Sequence, residues 1–349
     1  MGNRATFVLA GPEGYTRHRS SFGAVALDLD LLAGPEVVIP YLRAHAPEDG
    51  WYPDDMVEAG VLADPFRRLL LVFEREGPAA SLRTRAAGLE LLRLAWADWE
   101  VRWLYDGQSG LRAHLGLGPQ EPDADVYPGP ALEPEDEELA DPDPLVAVVT
   151  VGTDRCHVLA DIDDHPVEEG PALLDRLRDA PDHGRHRLRA DAGIHVDPGR
   201  RRVGWWLNAA RAHAGTVGRR WPGWTVEFWE DRWEEHERAS GGRFAPPASD
   251  RATALADVRA QALERWAGPR ADVRERLVAA LPHATIGRGF GPAVTAEQAA
   301  SARAAVERAH AAAVGAPHRP PGPAHRGAGV ATGLPPAVVE RPRRAAGGG

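Results

Sequence analysis

Lysine is absent from this 349-residue chain; all 41 basic residues are arginine. That removes a P-loop lysine, a Schiff base to a cofactor aldehyde and a kinase-type Lys–Glu pair. Cysteine is nearly absent too. With Cys156 alone, no intrachain disulfide and no multi-cysteine zinc site can form, which fits a reducing compartment. Cys156 falls in an apolar alternation, the setting of a buried structural thiol rather than a nucleophile. No apolar run approaches the ~18 residues that span a bilayer. The N-terminal apolar stretch is too short for a signal-peptide core. The expected location is the cytoplasm, with no membrane partner. Met1 to Thr6 matches the loose N-myristoylation pattern, a short motif of little weight.

A basic surplus is also missing. The net charge of −10 equals the ten acids of one segment, 119–144, which holds no basic residue. The remainder is therefore balanced, without the basic stripe of a nucleic-acid binder. The five arginines of the tail, Arg319, Arg326, Arg341, Arg343 and Arg344, give at best a salt-sensitive attraction. Nucleic acid is not an expected partner.

What is present is a duplication. Four blocks recur in order. Phe7–Gly11 answers to Val148–Gly152. Gly34-Pro35 and the segment ending at Gly50 answer to Gly170-Pro171 and the segment ending at Gly184. Ala59-Gly60-Val61 with Asp64-Pro65 answers to Ala192-Gly193-Ile194 with Asp197-Pro198. Trp96, Trp99 and Val101 answer to Trp221, Trp224 and Val226. Asp-Pro is a turn pair, so Gly60–Ala63 with Arg68–Phe73 and Gly193–Val196 with Arg201–Leu207 read as β-hairpins. Gly-Pro opens a helix in each half. A helix follows near Ala79–Ala97 and a strand at Trp99–Leu104. The expected fold is α+β: two tandem ββαββαβ-like units, each closed by a short helix, with an antiparallel or mixed sheet. Their bounds are 1–118 and 145–239, separated by an acidic, Pro-rich linker at 119–144. A helical appendage at 250–314 follows, with Leu255, Val258, Ala262, Leu263 and Trp266 on one stripe and a capping box at Thr295–Gln298. Residues 315–349, rich in Pro, Gly and Arg, are expected to be disordered.

Three features compete as sites. Asp28-Leu29-Asp30 and Asp161-Ile162-Asp163 each put two carboxylates on one face of an extended segment, and Asp164 and His165 extend the second copy. Asp161, Asp163, Asp164 and His165 would suit a divalent metal in a hydrolase or transferase; no other cofactor is expected. Histidines gather in the second unit: His157, His165, His183, His186 and His195. Leu62 stands opposite His195 and Asp49 opposite His183, so these histidines read as additions to the duplicated scaffold, acquired as a site or by drift. The third feature is the set of eleven tryptophans. Trp205 and Trp206 are adjacent on a strand and point opposite ways. With Trp229 and Trp233 they form the candidate exposed patch for a protein partner or self-association. The leading expectation is a non-enzymatic binding or assembly protein, the metal-dependent enzyme its rival. Gly107-Gln108-Ser109-Gly110 has the wrong glycine spacing for a nucleophile elbow, and Gly287–Gly291 lacks the βαβ frame of a dinucleotide fingerprint.

Overall fold

The computed structural model describes residues 3–75, 77–118, 145–160, 162, 164–208, 212–271 and 291–316. The acidic linker, Asp161, Asp163 and the Pro/Gly/Arg tail from residue 317 lie outside the described residues.

The first unit runs β1 (Ala5–Gly11), β2 (Gly14–Ser20), α1 (Leu27–Leu31), α2 (Pro35–Arg43), β3 (Ala59–Asp64), β4 (Leu69–Glu74), α3 (Arg85–Ala95), β5 (Glu100–Trp103) and α4 (Gly107–His114). The second runs β6 (Ala147–Val151), β7 (Arg155–Leu159), α5 (Ala172–Arg176), β8 (Ala192–Asp197), β9 (Arg202–Leu207), α6 (Ala214–Arg220), β10 (Thr225–Phe228) and α7 (Trp233–Ala239). Both sheets are five-stranded and mixed, with the orders β2-β1-β3-β4-β5 and β7-β6-β8-β9-β10. In each, the hairpins are antiparallel and the other two pairings parallel. The two halves thus share strand order and strand sense, as the repeated blocks predict.

The turns repeat in their Asp cap and their backbone conformation. Asp64 Oδ1 accepts the N–H groups of Phe66 and Arg67, and Asp197 Oδ1 accepts that of Arg200. Arg68 and Arg201 then take φ of 51° and 49°, and their carbonyls receive Glu100 and Thr225 at the start of the closing strand. The Gly-Pro corners repeat as well. Gly34 and Gly170 have φ of 76° and 65°, a region that L side chains avoid. A Cβ at Gly34 would lie 3.1 Å from the Ala95 carbonyl oxygen, and one at Gly170 2.3 Å from that of Arg220. Next to those carbonyls stand Trp96 and Trp221, both fully buried. Their indoles donate to the carbonyls of Leu31 (2.7 Å) and Val167 (2.8 Å), each three residues before its glycine.

Some details depart from the sequence reading. The shared glycine misaligns the first strands by one residue. β1 places Phe7 beside Val61 and β6 places Val149 beside Ile194, so Phe7 answers to Val149 and Val8 to Thr150. Gly11 is still paired in its hairpin opposite Gly14, whereas Gly152 sits in the turn with φ 58°. Helix α3 starts at Arg85, because Pro78–Thr84 forms a separate turn tied by Thr84 Oγ1 to the Pro78 carbonyl. Leu27–Leu31 is a helix despite its alternating pattern. Its first N–H groups, from Leu27 and Asp28, are received by the buried carboxylate of Glu74.

Among the described residues, one compact unit is drawn from Met1–Glu74, Gly88–Gln120 and Leu255–Gly349, the other from Arg75–Ala87 and Glu121–Ala254. In the first, α8 (Arg251–Arg265) brings Arg265 onto Asp30 at 2.9 and 2.7 Å, and Arg270 stacks over Trp266. The final helix, α9 (Ala296–Gly315), opens on a complete Thr295–Gln298 capping box and buries a row of alanines with Val306. In the second, Arg85 meets Asp231 at 2.7 Å and Leu82 packs on the core. No helix among the described residues is long and apolar enough to cross a membrane.

Candidate functional site

A position-by-position reading of the two units isolates the site. Beneath α4 of the first unit, Val8, Leu62, Phe73 and Leu111 belong to one buried apolar cluster, beside the buried pair Thr6–Gln108 at 2.8 Å. The sheet registers and the spacing from the buried tryptophans to the closing helices put Thr150, His195, Trp206 and His236 at the corresponding places. A hydrophobic core in one copy is a hydrogen-bonded chain in the other. The fold alone does not require those polar groups, since the first unit closes without them.

In that chain Trp206 Nε1 donates to His236 Nδ1 at 3.0 Å. His236 Nε2 lies 2.7 Å from Thr150 Oγ1, which lies 2.9 Å from His195 Nδ1. Thr150, Trp206 and His236 are fully buried, and His195, 9% exposed, is the outer end of the chain. Burial holds His236 neutral, far below the usual histidine range, with His195 and His165 adding to the effect. Burial also lowers His195, and Asp197 opposes it. The Trp206 N–H takes the Nδ1 lone pair of neutral His236, so His236 carries its proton on Nε2 and gives it to Thr150. The hydroxyl proton then goes to His195 Nδ1, which leaves the His195 proton on Nε2. Only this direction satisfies every buried donor.

The sheet makes room for the chain with glycine. A Cβ at Gly193 would stand 2.3 Å from Trp206 Nε1 and 2.6 Å from His236 Nδ1, and one at Gly204 would enter the Trp229 ring. Gly60, the counterpart of Gly193, gives the same room to Phe73 and Leu111. The close approach belongs to the scaffold; the polarity belongs to the second copy.

The residues singled out from sequence fall as follows. Trp205 and Trp206 do point opposite ways, but both faces of the sheet are covered and neither tryptophan is exposed. Trp205 stacks on Phe228 at 4.2 Å and meets His165 edge-on, while Trp206 stacks on Phe244 at 5.6 Å. Trp229 is buried and Trp233 half-buried against the same core, so Trp205 and Trp206 take no part in an exposed patch. Asp164 is exposed while His165 is buried, so these neighbours do not converge. His165 spends both nitrogens, donating from Nε2 to the Trp206 carbonyl and accepting the Val167 N–H at Nδ1. Burial lowers its pKa to about 4. Counting back from the two Gly-Pro corners, Asp28 answers to Asp164 rather than Asp161. Among the described residues, no group of three or more His, Cys, Asp or Glu side chains is placed to hold a metal ion.

His157 is no addition. It answers to His18, and both give Nδ1–H to a carbonyl, of Pro181 and His45 respectively. His183 is exposed and His186 stacks on Phe244. Cys156 is buried, its thiol pushed up to about 11 by burial, which makes it inert. Thr150 and His236 are the site residues that sequence reasoning passed over.

No family model matches the chain, and neither a curated protein nor a solved structure matches it.

Proposed function

We propose that this is a cytoplasmic, non-enzymatic binding protein in which the first unit is a structural copy and the second carries the recognition site. The observation behind this reading is the replacement of Val8, Leu62 and Leu111 by Thr150, His195 and His236 at matched positions of one fold. Burying linked polar groups where aliphatic ones suffice costs desolvation free energy, offset only if each group is satisfied. The outer end of the chain also fits recognition better than proton abstraction. Neutral His195 has its Nδ1 lone pair filled by Thr150, so it offers a donor and keeps no free base.

The test restores the first unit's residues in the second: Thr150→Val, His195→Leu and His236→Leu together. Wild type and the triple variant are screened by thermal shift against small-molecule and peptide libraries. Ligands that raise the melting temperature of the wild type and leave the variant unmoved support the reading. A screen in which every stabiliser acts equally on both proteins overturns it.

A further inference from the structure

We propose that Trp206, buried at the inner end of the hydrogen-bonded chain, fixes the tautomer of His195 at the chain's outer end and so makes it a donor for an uncharged carbonyl oxygen, of the amide type. The inference rests on the binding reading above and adds the chemistry that is read.

Three linked contacts carry it. The indole N–H can only donate, so it sets the direction of everything beyond it. From Trp206 at 3.0 Å the order passes through His236, through Thr150 at 2.7 Å, and on to His195 at 2.9 Å. Gly193 permits the first contact, since any side chain there would stand between indole and imidazole. Phe73 occupies the place of Trp206 in the first unit and has no N–H. There the partner positions are leucine and valine, with nothing to orient. Donor and oriented chain occur together in one copy and are absent together from the other. Trp206 is thus a positioning residue, acting on the outer group through two others.

The surroundings of His195 select the acceptor. Asp197 lies two residues along β8 on the same face. Glu227 lies in the same cross-sheet row, beyond Gly204. Asp197 is paired with Arg200, and Glu227 with Arg202. The Trp229 ring fills the place over Gly204 and stands before Glu227, so Asp197 is the carboxylate that an anionic ligand would meet beside His195. An amide carbonyl meets the same N–H without that repulsion.

The experiment uses the full chain labelled with 15N and reads the imidazole nitrogens by long-range proton–nitrogen correlation at neutral pH. Wild-type His195 is expected to show a protonated Nε2 and an unprotonated Nδ1. Trp206→Phe is expected to add the Nδ1–H form at His195 as a second population. Thr150→Val, which cuts the chain nearer the surface, should do the same, and Thr150→Ser should preserve the single form. Should Trp206→Phe fail to fold, the two Thr150 variants decide the question. Titration with acetamide should move the His195 Nε2 resonance, with acetate giving the smaller shift. An Nδ1–H form in the wild type, or a tautomer unchanged in the folded variants that cut the chain, overturns the role of Trp206. A response to acetate alone, or to neither probe, overturns the carbonyl assignment. The tautomer is read without any ligand, so a failed library screen and a failed tautomer lock are separate results.

Discussion

Gly193 faces His236 across a gap that no side chain could share: a Cβ on the glycine would sit 2.6 Å from the imidazole Nδ1. The strand gives up a side chain so that a helix can lower one onto it. Gly193→Ala should therefore destabilise the protein by about 1–3 kcal/mol, the usual range for overpacking a core. Urea denaturation measures it. Gly60→Ala, which meets Phe73 at 2.5 Å, should behave alike.

Removing one member of the hydrogen-bonded chain should hurt more than removing them all. His236→Leu strands the Trp206 N–H and a Thr150 oxygen in the core, at a cost on the order of 1–3 kcal/mol. The triple change to Val, Leu and Leu still leaves the Trp206 donor unmet and should recover the part of that loss due to Thr150. A triple variant less stable than His236→Leu would mean that the second core cannot accept the first core's packing.

Acid should weaken the fold across a defined window. His165 titrates at about 4 in the folded chain against 6.5 for an ordinary histidine, because burial disfavours its cation. The unfolded chain then binds the extra proton, so the stabilisation is complete above about 6.5 and is lost as pH falls toward 4. The shift corresponds to roughly 3 kcal/mol for this residue. His236 has the same sign. Glu74 has the opposite one, since its raised carboxyl pKa favours the folded state most in acid. Denaturant midpoints between pH 7.5 and 4.5 should fall, and His165→Asn should flatten the slope.

Matched tryptophans should give matched losses. Trp96→Phe and Trp221→Phe each remove one indole-to-carbonyl bond and part of a fully buried ring. Each should cost about 1–3 kcal/mol. Thermal melts that differ strongly between the two variants would show that the corners, though alike in geometry, carry different loads.

Much of the fold could be read from the chain because its signals are local. Asp64-Pro65 and Asp197-Pro198 name their own turns, and Gly34 and Gly170 mark backbone that only glycine takes without strain. Trp96 and Trp221 are large enough to mark a core position unaided. The site could not be read in the same way. Thr150, His195 and His236 lie far apart in sequence, and only sheet register and helix phase bring them together. The one available hint was Leu62 standing opposite His195. Its partner hint, Val8 opposite Thr150, was hidden by the one-residue slip that Gly11 and Gly152 induce. Tryptophan count pointed outward where the packing runs inward. An aromatic residue on a strand covered on both faces has the same sequence signature as one on a face open to water.

Residues 75–87 lie within the first copy of the repeat yet belong to the second compact unit, where Leu82 and Arg85 find their partners. Chain order and spatial grouping therefore disagree. On the ribosome this stretch emerges before any strand of the sheet it packs on: Val148 follows Leu82 by 66 residues, and Asp231 follows Arg85 by 146. A fragment begun at the acidic linker would lack Leu82 from that core and the Arg85 partner of Asp231.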